Sequence, residues 1–242
     1  MKTAPRNFVP AGRAVAAGNG WRWIADGFDF FRRQPGAWVA LVIVAALIFI
    51  GLALIPVLGS LAGMVLAPVF AGGVAIACRE QDQGRELRIG HLFEGFRSRF
   101  GTLLSIGLIY LGITVALALG VGLVTGAGMW TLLGSGADPA AVAGASLTLV
   151  LAFLVMLALM LPLFMAVWFA PALAVFHEQG PAEAMKSSFI ACLRNIGPFL
   201  LYSVILFLLA IAASIPFGLG WLVLGPTMAA SLYTGYRDIF FD

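Results

Sequence analysis

Few residues in this chain have types and spacing suited to chemistry. His177 stands directly before Glu178, and His91 stands three residues before Glu94. Neither pair belongs to a metal triad, and HExxH is absent, so both read as surface polar pairs with no metal bound. The two cysteines, Cys78 and Cys192, lack partners at ligand spacing and fall near predicted helix ends. No phosphate-cradling glycine loop, nucleophile elbow or dinucleotide fingerprint occurs. The long apolar runs contain no Asp, Glu, Lys, Arg or His. Their Ser and Thr residues are therefore expected to hydrogen-bond backbone and neighbouring helices. An intramembrane catalytic or proton-coupled site usually retains an ionisable group, so the pattern argues for a non-enzymatic protein without cofactors.

The surrounding elements explain that scarcity. Apolar residues form 62% of the 242-residue chain and charged residues 10%, against roughly 45–50% and about 25% in soluble domains. A soluble fold could not hide that surface, whereas lipid accepts it. The net charge of +3 is small, and it is spread along one side of the membrane rather than gathered on one solvated face. That distribution argues against a nucleic-acid partner.

A span needs about 20 apolar residues. The charge-free stretches 36–78 and 195–236 each hold two, and 101–137 with the run that follows Asp138 holds two more, which predicts six transmembrane helices, near 36–55, 59–78, 101–124, 142–175, 198–215 and 221–236. Pro56 and Gly59, the Gly-rich segment ending in Asp138-Pro139, and Pro216 with Gly218 mark the three turns. Pro162 and Pro171 predict a kinked or tilted fourth helix. The first apolar run is too long for a cleavable leader and reads as a retained anchor. Residues 1–21 read as a mobile N-terminal tail, and 22–238 as one transmembrane domain. All 14 basic residues fall on one side of this arrangement. The positive-inside rule therefore predicts a cytoplasmic N-terminus and C-terminus.

The charged segments repeat. Phe28, Phe93 and Phe189 each lie eight residues before a glycine: Gly36, Gly101 and Gly197. Pro68 and Pro226 each lie eleven residues before an Arg-acid pair, Arg79-Glu80 and Arg237-Asp238; the middle copy ends in His177-Glu178. The expected architecture is all-α: three parallel helical-hairpin repeats, near 22–80, 87–178 and 183–238, each led by a short amphipathic cytoplasmic helix. In the second lead-in, Leu92, Phe93, Phe96, Phe100 and Leu103 share one face, flanked by Arg97 and Arg99. Such a helix suits the interface. Arg32, Arg33, Arg97, Arg99 and Arg194 are thus candidate contacts for anionic lipid, each gaining about 1 kcal/mol near the surface; an ordinary topology-setting lead-in reads equally well. Small residues recur every fourth position at Gly59, Gly63, Ala67, Ala71 and Ala75. They form a ridge suited to close helix packing inside the bundle, or to a face between two copies of the chain.

The segments GWRWIADGFDFFRRQPGAWV, PVFAGGVAIACRE and LFEGF resemble an uncharacterised family of proteobacterial inner-membrane proteins across nearly the whole chain. HEQGPAEAMKSSF resembles an element that precedes a span in several bacterial multi-pass families of unknown function. The resemblance implies a bacterial inner-membrane location and carries no activity or site residues. The expected function is a lipid- or protein-interacting membrane component. The alternative is a channel or transporter for a small or lipidic substrate.

Overall fold

The computed structural model describes residues 7–134 and 138–242. Among these the chain is all-helical, with one isolated antiparallel bridge between Phe8 and Phe241. Ten α-helices follow in order: α1 (Asn19–Arg33), α2 (Pro35–Ala53), α3 (Leu58–Asp82), α4 (Glu94–Ser98), α5 (Phe100–Gly134), α6 (Pro139–Trp168), α7 (Ala170–His177), α8 (Pro181–Arg194), α9 (Ile196–Ser214) and α10 (Trp221–Phe240). A 3-10 turn, Ile89–Phe93, leads into α4.

Five stretches are long and apolar enough to cross a bilayer: Pro35–Ala53, Leu58–Asp82, Phe100–Gly126, Val142–His177 and Ile196–Ser214. Outward-facing residues such as Leu47, Leu119, Phe153 and Phe207 stay exposed, because lipid rather than protein is their solvent. Helix α10 differs. It buries Thr227, Ser231, Tyr233, Thr234 and Tyr236 together with Pro226 and Ala230. It packs on α1, α2, α3 and α9. A helix largely covered by other helices need not be apolar all round, which explains why α10 is not among those five.

Two breaks differ from the sequence expectation. Helix α5 runs on through the Gly-rich segment to Gly134, because glycine keeps its backbone hydrogen bonds. At about 1.5 Å per residue its 35 residues span about 52 Å, more than the hydrocarbon thickness. Asp138 then caps α6, its Oδ1 accepting from Ala140 N at 3.2 Å. The second break, in the expected helix 142–175, falls at Phe169. There the Ser188 hydroxyl inserts into the helical ladder. It accepts from Phe169 N at 2.9 Å and donates to Met165 O at 2.7 Å, replacing the bond those two groups would share. Pro171, which has no N–H, sits in the first turn of α7. Pro162 stays within α6.

Several hydroxyls of the spans bond to the helix backbone as expected, whereas Thr114 Oγ1 is buried without a partner. Ser105, Ser146, Thr148, Ser214 and Thr227 each donate to the carbonyl four residues back at 2.8–3.0 Å.

Candidate functional site

The polar end of the bundle is built by the three lead-ins. Each amphipathic face is partly covered by protein, while Phe28, Phe93, Phe96 and Phe100 stay exposed. Helix α1 buries Trp23, Ile24, Gly27, Phe30 and Phe31 against α9 and α10. The 3-10 turn and α4 bury Leu92 and Gly95 against α3. Helix α8 buries Ala184, Met185, Ser188, Ala191 and Cys192 against α6 and α7. The contacts are close. Gly27 meets the α10 backbone at Thr227 and Ser231, and Gly95 meets the α3 backbone at Val69 and Gly73. Ser188 meets Met165 and Phe169 through the inserted hydroxyl. In every case the partner positions lie one helical turn apart on the second helix of a hairpin.

A second set of contacts links each lead-in to the segment that opens another. Gln34 Oε1 accepts from Leu87 N at 2.7 Å. Arg99 Nη2 donates to Glu178 O at 2.7 Å. Asn195 Oδ1 accepts from Val15 N at 2.8 Å, and its Nδ2 donates to Arg13 O at 2.9 Å. Gln34, Arg99 and Asn195 each stand two residues before Gly36, Gly101 and Gly197. Sequence reasoning singled out Arg99 as a lipid contact and passed over Gln34 and Asn195, although the signal was present: a polar side chain at the same register in all three lead-ins. Of the segment 1–21 that the sequence sets apart as a tail, residues 7–21 are described, and they are docked. Arg194 Nη1 also donates to Gly12 O at 2.9 Å, and Arg13 pairs with Asp238 at 3.3 Å.

The candidate arginines therefore divide. Arg99 and Arg194 are engaged with backbone carbonyls. Arg32, Arg33 and Arg97 are exposed. Arg32 lies 5.7 Å over the Phe28 ring and 3.3 Å from Asp29. Arg33 lies 5.2 Å over Phe30. Arg97 is 3.6 Å from Glu94, beside the partly exposed Phe93, Phe96 and Phe100. The small-residue ridge divides too. Gly59 and Gly63 are buried where α3 folds back on α2, Gly63 facing the Phe49 ring at 3.6 Å from the position a Cβ would take. Ala75 is buried, whereas Ala67 and Ala71 are exposed.

Between the lead-ins, α1 and the polar ends of α3, α7 and α10 line two open cavities that share Arg237. The first, of 360 Å³, holds charges of both signs: Asp26, Asp29, Asp82 and Asp238 with Arg22, Arg33 and Arg237 among its lining. Asp82 pairs with Arg237 at 2.6 Å. Asp238 Oδ2 accepts from Asn19 Nδ2 at 2.7 Å and Trp23 Nε1 at 2.9 Å. Burial, with the neighbouring carboxylates Asp29 and Asp238, raises the Asp26 pKa above the usual carboxylate range. The second cavity, of 320 Å³, brings Arg79, His177 and Arg237 together with aromatic walls from Phe176, Tyr233 and Phe241. His177 Nε2 lies 2.6 Å from the Tyr236 hydroxyl, and Phe8 stacks on its ring at 3.4 Å. His91 serves a different end: its Nδ1 accepts from Arg88 N at 3.3 Å across the 3-10 turn.

Among the described residues no group of three His, Cys, Asp or Glu side chains is placed to hold a metal ion. Both cysteines are buried thiols. Burial pushes the Cys192 thiol up to about 12, so it is not poised as a nucleophile.

No family model matches the chain, and no solved structure matches it. A probable inner membrane protein of Burkholderia thailandensis is 34% identical over 231 residues, covering 90% of this chain and 82% of that protein. With five membrane-length apolar stretches and that degree of identity, the chain belongs to this family of multi-pass inner-membrane proteins.

Proposed function

We propose that the protein is a non-enzymatic membrane component that binds anionic lipid at its cytoplasmic rim. The chain crosses the bilayer six times, with α10 as a central sixth span, and both termini lie in the cytosol. Its hairpins form three parallel repeats arranged in a ring. Two sets of contacts support that ring. Each lead-in packs on the second helix of the hairpin before it, and the polar residue at its end grips the opening of the next lead-in. In this cycle Gln34 holds the opening of the second, Arg99 that of the third and Asn195 that of the first.

The observation that carries the lipid reading is the set of exposed arginines beside exposed aromatics: Arg32 over Phe28, and Arg97 beside Phe93, Phe96 and Phe100. Aromatic rings at headgroup depth with guanidinium groups beside them suit an anionic bilayer surface. Arg99 and Arg194, engaged with carbonyls, act in positioning rather than in lipid contact.

The test is lipid retention. Purified protein is placed in nanodiscs of phosphatidylcholine with phosphatidylglycerol, and retained lipid is read by native mass spectrometry. The triple variant Arg32→Gln, Arg33→Gln, Arg97→Gln should lose most of its preference for phosphatidylglycerol; an unchanged preference would sink the reading. Reporter fusions after Asp242 and in the loop 83–88 should both report the cytosol.

A second reading, a carrier for lipidic substrates, draws on the apolar groove of 430 Å³ between α5 and α6, lined by Gly120, Val124, Thr148 and Ala152 among others. Lipid scrambling in proteoliposomes above that of empty vesicles would favour it.

A further inference from the structure

The smaller cavity at the inner ends of α3, α7 and α10 has a composition unlike the rest of the polar end. Three basic side chains face it, Arg79, His177 and Arg237, and no carboxylate is among its lining residues. They come from three different helices, and their positions correspond: Arg79 and Arg237 stand eleven residues after Pro68 and Pro226, and His177 precedes the acidic residue that closes the middle copy. Arg237 already has a partner, Asp82 at 2.6 Å, which lies on the side of the mixed-charge cavity. Arg79 is held differently. Its guanidinium lies 4.4 Å over the Phe176 ring, and among the described residues it has no ion-pair partner. Stacking fixes the guanidinium plane while leaving its N–H edge unspent. Tyr233 and Tyr236 are buried at the same wall.

Two guanidinium groups half-withdrawn from water, with one carboxylate between them and the neighbouring cavity, carry a desolvation cost that a bound anion offsets. We infer that this cavity is a binding site for a phosphate-bearing ligand. Arg79 acts as the planar fork on the phosphate and Arg237 as the second cation. Phe176 and Phe241 form an apolar wall for whatever the phosphate is attached to. A fork plus a second cation matches the several acceptor oxygens of a phosphate better than a single carboxylate. The site is distinct from the arginine rim and does not depend on it.

The full-length protein in phosphatidylcholine nanodiscs is titrated with inorganic phosphate, followed by ³¹P line broadening. A parallel set of nanodiscs contains a minority of phosphatidic acid, with retention read by native mass spectrometry. Saturable binding is expected in at least one arm. Binding in the first identifies a soluble phosphate source, and binding confined to the second identifies a lipid headgroup. Losing one charge-assisted fork in Arg79→Gln should weaken binding by about tenfold or more. Arg79→Lys, which keeps the charge but not the fork, should fall between, and it serves if the glutamine variant does not fold. The triple rim variant should bind like the native protein, so failure of the rim reading leaves this result unaffected. Absence of saturable binding in both arms would overturn the assignment, as would undiminished binding in whichever Arg79 variant folds.

Discussion

Replacing Gly27 with alanine sets two effects of opposite sign against each other. Gly27 lies within α1, where intrinsic helix preference alone would favour alanine by about 0.5–1 kcal/mol. The packing says otherwise. A Cβ there would sit 2.7 Å from the Thr227 carbonyl oxygen, 2.8 Å from Ser231 N and 3.0 Å from Ser231 Cα. All three are backbone atoms of α10, so no side chain can swing aside. Ordinary contact begins at 3.4 Å, so α1 must withdraw by 3.4 − 2.7 = 0.7 Å. A gap of about 0.5–1 Å forfeits roughly a quarter to a half of each dispersion contact it opens. The face affected carries Trp23, Ile24, Phe30 and Phe31. Overpacking of this kind costs about 1–3 kcal/mol, so a net destabilisation of about 0–2.5 kcal/mol, centred near 1 kcal/mol, remains after the helix-preference gain. Gly112→Ala is the matched control, with nothing within 4 Å of its added methyl. Loss of the monodisperse peak on heating in detergent measures both. Gly27→Ala should melt below the native protein, and Gly112→Ala at or slightly above it. If Gly27→Ala melts at the native temperature or higher, the claim that α1 is a packed element of the bundle fails.

Along the expected ridge, Gly63→Leu should reduce folded yield because it strikes Phe49, whereas Ala67→Leu at an exposed position should leave yield unchanged; equal yields would refute the division. Asp238→Ala removes the acceptor for Asn19 and Trp23 and should cost about 2 kcal/mol, read as a lower melting temperature; a melt within error of native would refute it. Asp26 has a folded pKa above its unfolded value, so the folded state binds its proton more tightly, and stability falls as pH rises from the ordinary carboxylate range through the raised pKa. Asp26→Asn should therefore raise the melting temperature at pH 7 and flatten its acid-range pH dependence, and a variant with the native pH profile would contradict this.

The helix positions were legible because the signal for them is local. Runs without charge mark spans, and Pro56, Asp138-Pro139 and Gly218 interrupt them. What was not legible is what covers each face. The sequence LFEGFRSRF has the same periodicity whether Leu92 and Phe93 meet lipid or protein, and the structure separates them: Leu92 is buried on α3 and Phe93 is 40% exposed. The ridge has the same ambiguity, since a run of small residues does not say which of them meets a neighbour. The long-range grips of Gln34, Arg99 and Asn195 join residues 53, 79 and 180 or more positions apart, beyond any windowed pattern. Helix α10 was placed by its length and turn, but its role at the centre depends on partners from the opposite end of the chain. The site followed the same rule. The basic residues were visible and their side of the membrane was predicted, but the meeting of Arg79, His177 and Arg237 in one cavity needs three helix ends brought together in space.

The enclosed position of α10 sets an order of manufacture. Translation delivers it after α1, yet with α9 it forms the surface on which α1 packs. Until Trp221–Phe240 emerges, Trp23 has the α9 rings of Phe199 and Tyr202 but Phe30 lacks Tyr233, and Phe8 and Arg13 lack Phe241 and Asp238. The packed face of α1 is therefore completed only after α10 has been made. A stop codon ahead of Trp221 would leave α1 without its α10 partner and Phe8 and Arg13 without Phe241 and Asp238 at once.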